Sequence, residues 1–251
     1  MVAESFIFYP DDYLIADPSD WGMPFEDVYF STADGLTLNG WFVPGEKEMT
    51  WLWFPGNAGN ISYRLDNLRL LHYRLSLNIF IFDYRGYGRS QGRPSEEGTY
   101  LDAEAALDYL RSRRDIDPDA IIFFGRSLGS AVAVNLATKH NCLGLILESP
   151  PSSLVGMMKR LFPSLPPEDL PIKYDSLSKI KRISVPLLIL HGDCDEVVPF
   201  FMGRKLYEAA NEPKQFYTIE NAGHNDTYMV GGEEYFQAIE NFIESVETHA
   251  P

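Results

Sequence analysis

Hydrophobic and polar positions follow two alternating patterns along the chain after residue 50. Apolar runs at residues 50–56 and 78–86 each end in a glycine-bearing loop, which is typical of buried parallel strands. Between them, Leu68, Leu71 and Leu75 recur at helical spacing. Further strand-like runs lie at 121–124, 142–150, 185–192 and 215–224. This alternation predicts an α/β protein with a twisted, mostly parallel central sheet flanked by helices.

Three further patterns complete the predicted organisation of the chain. Residues 27–45 hold two strand-like runs around Ala33-Asp34-Gly35, which predicts a hairpin. A helix is expected to begin near residues 95–97. The closing helix carries an apolar stripe that consists of Tyr235, Ile239, Phe242, Ile243 and Val246. No internal repeat or linker divides the chain, so we expect one domain over residues 1–251.

One segment, residues 150–180, breaks the alternation. It contains six prolines, which prevent long helices. Between the prolines lie apolar side chains that have to be buried against another surface. We therefore expect a small cap over a site. Its candidate substrate-binding residues are Leu154, Met157, Met158 and Phe162. They either line an acyl pocket, which flexible methionines suit, or pack the cap onto the core.

Composition narrows the possible partners. With 45% hydrophobic residues, the 251-residue chain can bury a sizeable core. Its formal net charge of −15 argues against nucleic acid and anionic membranes, because like charges repel. Cys142 and Cys194 match no zinc spacing, and we expect no disulfide and no metal. No secretory leader and no apolar run of about 18 residues is visible, so we expect a cytoplasmic protein without integral membrane segments.

The candidate chemistry starts at Gly125-Arg126-Ser127-Leu128-Gly129, which has the form G-x-S-x-G. An apolar strand pattern precedes it and a helix pattern follows it, which is the context of a nucleophile elbow. In such a sharp turn, side chains two residues away on either side would collide, so glycine is needed at 125 and 129. We expect Ser127 to be a nucleophile. The alternative is a serine that only caps the helix.

A serine nucleophile needs a base and an acid that orients the base. Of the five histidines, His224 lies in a loop between a strand and the last helix, which suits a positioned base. His191 ends a strand, where packing or a turn hydrogen bond is expected. In folds with such a nucleophile elbow, the acid comes between the serine and the histidine in the sequence. Asp193 and Asp195 both meet that condition.

An oxyanion hole needs two N–H donors aimed at one oxygen. The backbone N–H of Leu128 follows the nucleophile and is one candidate. The glycine-rich loop at residues 54–60 offers the backbone N–H of Asn57 as the other. No Lys-Ser/Thr pair follows this loop, so a phosphate-binding loop is disfavoured.

Five motifs stand in one order: FPGNAGN, FDYRGYGRSQG, GRSLGS, HGDCDEVVP and NAGHND. In this order the chain resembles small single-domain serine hydrolases of the α/β-hydrolase superfamily, which include esterases, lipases and thioesterases. The resemblance covers about residues 25–247 and implies the α/β-hydrolase fold. It also places the triad acid at Asp195, within an HG-x-x-D-x-x-V-P pattern. Pro55 departs from the family, whose members commonly carry histidine there.

These residues predict a serine hydrolase that cleaves carboxylic esters of short to medium acyl chains through Ser127, His224 and Asp195. Its partners would be a small acyl ester and water, with no cofactor. Thioester hydrolysis uses the same triad and is the first alternative. A binding protein that keeps the fold without turnover is the second.

Arginines near these motifs have two possible roles each. Arg85, Arg89 and Arg93 belong to a structural turn or guide an anionic substrate. Arg126 is a buried ion-pair partner or a substrate ligand.

Overall fold

A computed structural model describes residues 7–161 and 173–247, with the side chains of residues 159–161 excepted. The chain divides into two compact units, residues 1–122 and 123–251. Each unit combines strands and helices, as the alternating pattern predicts. The assignment of all 251 residues to one domain remains a prediction.

The strands of the first unit are β1 (Tyr9–Pro10), β2 (Glu26–Ser31), β3 (Thr37–Val43), β4 (Thr50–Phe54), β5 (Ala58–Gly59) and β6 (Asn78–Phe82). Four of them lie in the order β4-β6-β3-β2, and β1 pairs with β5 separately. The predicted hairpin is confirmed, because β2 and β3 are antiparallel and Gly35 turns between them with φ +86°. β4 and β6 are parallel, also as predicted.

The described residues of this unit form two α-helices, α1 (Leu65–Leu75) and α2 (Glu96–Ser112). The predicted face of α1 is buried, with Leu68, Leu71 and Leu75 inside. α2 begins where its sequence predicts, because the Ser95 hydroxyl accepts a hydrogen bond from the backbone N–H of Gly98 at 3.0 Å. Short 3-10 helices lie at Pro18–Trp21 and Ile61–Arg64.

Strands β7 (Ile121–Arg126), β8 (Gly144–Glu148), β9 (Leu187–Gly192) and β10 (Lys214–Ile219) lie in the order β10-β9-β8-β7. The pairs β8–β9 and β9–β10 are parallel. Every residue of β7, β8 and β9 is buried, as expected for parallel strands covered by helices on both faces. The carboxyl ends of these strands therefore lead into neighbouring loops, where such proteins place their sites.

In residues 123–161 and 173–247 of the second unit, the helices are α3 (Leu128–Ala137), α4 (Leu154–Leu161), α5 (Ser176–Ile180), α6 (Phe200–Ala209), α7 (Thr227–Val230) and α8 (Gly232–Glu247). The predicted stripe of α8 is confirmed, because its five apolar residues are all buried. Across residues 7–161 and 173–247, no helix is both long and apolar enough to span a membrane.

The expected cap segment is described only in part. It holds the short helices α4 and α5, which agrees with its proline content, and residues 162–172 between them lie outside the described residues. The backbone N–H of Leu154 donates to the carbonyl of Lys173, and that of Leu177 to Ser152, each at 2.9 Å. A cap over residues 150–180 remains a prediction.

Candidate active site

Ser127 occupies a strained corner between β7 and α3. Its backbone has φ +53° and ψ −120°, which a residue with a side chain rarely adopts. A Cβ at Gly125 would lie 2.6 Å from the carbonyl oxygen of Gly129, so the predicted need for glycine at 125 is met. Ser127 stands at the start of α3, but its hydroxyl makes no capping hydrogen bond. The helix-cap alternative therefore lacks its defining contact.

Three predicted residues of the site lie in one line of hydrogen bonds. Nε2 of His224 is 3.0 Å from Oγ of Ser127. Nδ1 of the same imidazole is 2.8 Å from Oδ2 of Asp195. Both distances allow the hydroxyl to donate to Nε2 while Nδ1–H donates to the carboxylate. Loops at the ends of β7, β9 and β10 hold the three side chains.

The carboxylates of the two candidate acids, Asp193 and Asp195, point in different directions. The carboxylate of Asp195 is turned inward, because its Oδ1 accepts hydrogen bonds from the backbone N–H groups of Val197 (2.9 Å) and Val198 (2.7 Å). Burial acts to raise the pKa of Asp195, but hydrogen bonds from His191 and His224 lower it by more than burial raises it. The pKa of Asp195 is therefore below its usual value. Asp193 is exposed and accepts from the N–H of Asn221 instead, at 2.7 Å.

His191 and Glu196 also contact the site, although the sequence gives neither of them a role in its chemistry. His191 is buried, and its Nε2 lies 2.9 Å from the carbonyl oxygen of Val198 and 3.4 Å from Oδ2 of Asp195. The carboxylate of Glu196 accepts a hydrogen bond from the backbone N–H of His224 at 3.1 Å. The sequence carried one signal for each, since both belong to the HGDCDEVVP motif.

The two predicted oxyanion donors lie in different units, and each is described within its own. Leu128 is the first residue of α3, where a backbone N–H has no partner within the helix. The carbonyl of Asn57 accepts from the N–H of Tyr9 at 3.1 Å and from the hydroxyl of Tyr87 at 2.8 Å. Its side-chain amide donates to the carbonyl of Ile7. The role of either N–H remains a prediction.

The four candidate substrate-binding residues come from the cap segment. Leu154 is buried, and Met157 and Met158 are half-buried on α4. Phe162 lies outside the described residues. α4 packs near α6, because a Cβ at Gly156 would be 3.2 Å from Cε of Met202. An acyl pocket and simple packing of the cap thus both remain predictions for this set.

Two of the arginines in the 83–93 loop, Arg85 and Arg89, make ion pairs. Arg85 donates from Nε to Asp102 and from Nη1 to Asp34, both at 2.8 Å. Arg89 pairs with Asp27 at 2.9 Å. These contacts accord with the structural turn that the sequence suggests for this loop.

Comparisons with known proteins show the family of the chain. A family model for the α/β hydrolase fold matches residues 52–170. An uncharacterized protein of Mycobacterium tuberculosis is 39% identical over 221 residues, which cover 86% of this chain and 78% of that protein. The α/β hydrolase domain-containing protein WAV2 of Arabidopsis thaliana is 37% identical over 250 residues, which cover 90% of this chain and 81% of the relative. The chain belongs to the α/β-hydrolase family.

This α/β hydrolase also shares its fold with solved structures. An esterase of Pyrococcus furiosus superposes with a TM-score of 0.81 at 21% sequence identity, over 95% of this chain and 98% of the esterase. The predicted α/β-hydrolase fold, with a mostly parallel sheet flanked by helices, is therefore confirmed. At such low identity the likeness concerns the fold alone.

Proposed function

We propose that this α/β hydrolase cleaves carboxylic esters of short to medium acyl chains. The observation that supports the proposal is the line of hydrogen bonds from Ser127 through His224 to Asp195, at 3.0 and 2.8 Å. A hydroxyl, an imidazole and a buried carboxylate in this order are the parts that acyl transfer through a serine requires.

In the first step, Oγ of Ser127 attacks the acyl carbon while Nε2 of His224 takes the hydroxyl proton. Asp195 stays ionised, keeps the second imidazole proton on Nδ1 and stabilises the imidazolium that forms. Its lowered pKa favours the ionised form that this role needs. The backbone N–H of Leu128 would donate to the developing oxyanion.

Collapse of the tetrahedral intermediate breaks the ester C–O bond, and the imidazolium gives its proton to the leaving alkoxide. Water then attacks the acyl carbon, with His224 again as the base. The bond from this carbon to Oγ of Ser127 breaks, the imidazolium returns its proton to Oγ, and the carboxylic acid leaves. The residues of the site supply every proton transfer in this scheme, so the proposed reaction needs no cofactor or metal.

Hydrolysis of p-nitrophenyl butyrate tests the proposal. We expect Ser127→Ala to lower kcat by a factor of at least about 10⁴, because all chemistry passes through the hydroxyl. Ser112→Ala, which changes an exposed serine at the end of α2, is the matched control and should keep full activity. A fluorophosphonate probe should label the wild type and Ser112→Ala but not Ser127→Ala. Unchanged hydrolysis in Ser127→Ala would refute the proposal.

The two alternatives give distinct results in related assays. A thioesterase would turn over an acyl-thioester faster than the oxygen ester of the same chain length. A binding protein would neither hydrolyse any ester of a panel from acetyl to palmitoyl nor react with the fluorophosphonate. A rate maximum at long acyl chains would contradict the expected short to medium preference.

A further inference from the structure

A buried ion pair lies beside the proposed triad without touching its side chains. It joins Arg126, the residue before the nucleophile, to Glu148 at the end of β8, with Nε and Oε1 2.9 Å apart. The Glu148 side chain has no exposed surface, and that of Arg126 is 8% exposed. An ion pair is one of the two roles that the sequence predicts for Arg126. The signal in the sequence for its partner is Glu148, a glutamate at the end of an apolar strand.

Each carboxylate oxygen of Glu148 also accepts a hydrogen bond from a side-chain hydroxyl group. Oε1 also accepts a hydrogen bond from the hydroxyl of Thr227 at 2.6 Å, and Oε2 accepts one from the hydroxyl of Tyr235 at 2.8 Å. Burial beside this carboxylate raises the pKa of Tyr235, which keeps the phenol a donor. The charge is thus fully hydrogen-bonded, as a buried carboxylate must be.

The same pair holds the backbone on both sides of the proposed proton transfer. The carbonyl of Glu148 accepts a hydrogen bond from the backbone N–H of Ser127 at 2.9 Å. A terminal nitrogen of Arg126 donates to the carbonyl of His224 at 2.7 Å. Thr227, three residues after His224, is bonded directly to Glu148. One carboxylate and one guanidinium therefore connect the nucleophile corner to the histidine loop.

We propose that Arg126 and Glu148 are positioning residues that set the separation between Oγ of Ser127 and Nε2 of His224. This inference rests on the proposed function. The two atoms come from segments 97 residues apart, so the distance between them depends on what links their backbones. A desolvated, fully bonded ion pair is a stiff link, because neither charge can be left alone without a large cost. A displacement of about 1 Å between reacting groups can cost on the order of 100-fold in rate.

Arg126→Lys is the sharpest test. Lysine keeps the positive charge but lacks the planar fork that donates to Glu148 and His224 at once. We expect kcat for p-nitrophenyl butyrate to fall about 100-fold with KM within about threefold of the wild type, and fluorophosphonate labelling of Ser127 to slow by a similar factor. Arg113→Lys is the matched control, since Arg113 also bridges two carboxylates, Glu26 and Asp115, in the first unit. It should keep the wild-type kcat and labelling rate.

Two milder variants keep the test decisive if Arg126→Lys does not fold. Thr227→Val and Tyr235→Phe each remove one hydrogen bond to Glu148 without changing the size of the side chain much. We expect each to lower kcat and the labelling rate about tenfold at an unchanged KM, whereas Tyr207→Phe, on α6, should change neither. A purely structural ion pair would lower the urea midpoint and leave kcat of the folded protein unchanged.

The outcomes separate this inference from the proposed function. If the fluorophosphonate labels the wild type and the folded variants at equal rates, Arg126 and Glu148 do not position the site and only this inference fails. If the wild type is neither labelled nor active on any ester or thioester, the proposed function fails and the inference fails with it. Parallel losses in kcat and labelling support both.

Discussion

Nε2 of His191 lies 3.4 Å from Oδ2 of Asp195, so the carboxylate that faces His224 also faces a second imidazole. The same Nε2 is 2.9 Å from the carbonyl of Val198, which can only accept, so the proton of His191 belongs on Nε2. Among the described residues, Nδ1 of His191 has no hydrogen-bond partner. That side of the ring packs against α6 at Gly203, where a side chain would overlap Nδ1.

Gly203→Ala should therefore be destabilising. Alanine is favoured over glycine in a helix by about 1 kcal/mol, but here its methyl group would push against the buried His191. We expect a net loss of about 1–3 kcal/mol in the free energy of unfolding, measured by urea denaturation. Gly156→Ala on α4 is the matched control, because the nearest atoms there are flexible side-chain ends at 3.1 and 3.2 Å. A Gly203→Ala protein as stable as the control would contradict this packing.

The lowered pKa of Asp195 predicts acid sensitivity. Burial acts to raise this pKa, but hydrogen bonds from His191 and His224 lower it more, so the folded state binds the proton less well than the unfolded state. The resulting stabilisation is present above the unfolded pKa of about 3.9 and is lost as the pH falls below it. The free energy by which the wild type exceeds Asp195→Asn should thus shrink between pH 5 and pH 3. Asp108→Asn, at an exposed position of α2, should show no such trend.

Asp83 predicts the opposite dependence. Burial raises its pKa to about 8, although the N–H of Ile61 donates to its Oδ1 at 2.9 Å. Because this pKa is above the unfolded value, the folded state binds the proton more tightly. The stabilisation is complete below about pH 3.9 and is lost as the pH rises through about 8.

Asp83→Asn, which mimics the protonated carboxyl, should remove that loss. We expect its free energy of unfolding relative to the wild type to rise between pH 5 and pH 8.5 by at least about 1.4 kcal/mol, the equivalent of one pKa unit. Urea denaturation at several pH values measures the difference. Asp119→Asn, which alters an exposed carboxylate, supplies the baseline, and a difference that does not change with pH would exclude a raised pKa at Asp83.

The ion pairs of Arg85 and Arg89 should differ in their contribution to stability. Asp102 has no exposed surface, and Arg85→Gln would leave its charge buried without a cationic partner. We expect a loss of about 3–5 kcal/mol in the free energy of unfolding. Arg89→Gln breaks a pair whose arginine side chain is 51% exposed, and it should cost about 0–1 kcal/mol. Similar urea midpoints for the two variants would show that burial does not set the strength of these pairs.

Local patterns made the strands, the hairpin and the serine corner predictable. Each depends on residues close in sequence: Gly35 in its turn, Ser95 at the start of α2, and Gly125 beside Ser127. The physical reason is that turn geometry, helix capping and steric exclusion act within a few residues.

Residues whose roles depend on long-range contacts were not predictable in this way. Asp193 and Asp195 share one loop, and Asp195 differs from Asp193 by its contact with Nδ1 of His224, 29 residues away, at 2.8 Å. Glu148 is even less accessible to sequence analysis, since its partner Tyr235 is 87 residues away. A single sequence records that a glutamate ends an apolar strand, but not which distant side chains contact it.

The left-handed backbone at Ser127 sets the proposed reactivity of its hydroxyl against the stability of the fold. Such a conformation costs about 1–3 kcal/mol, which the surrounding strand and helix must offset. A glycine at this corner would relax the chain and delete the hydroxyl in the same change. A more stable version of this protein would therefore lack the proposed nucleophile, and any attempt to raise its melting temperature should leave this corner untouched.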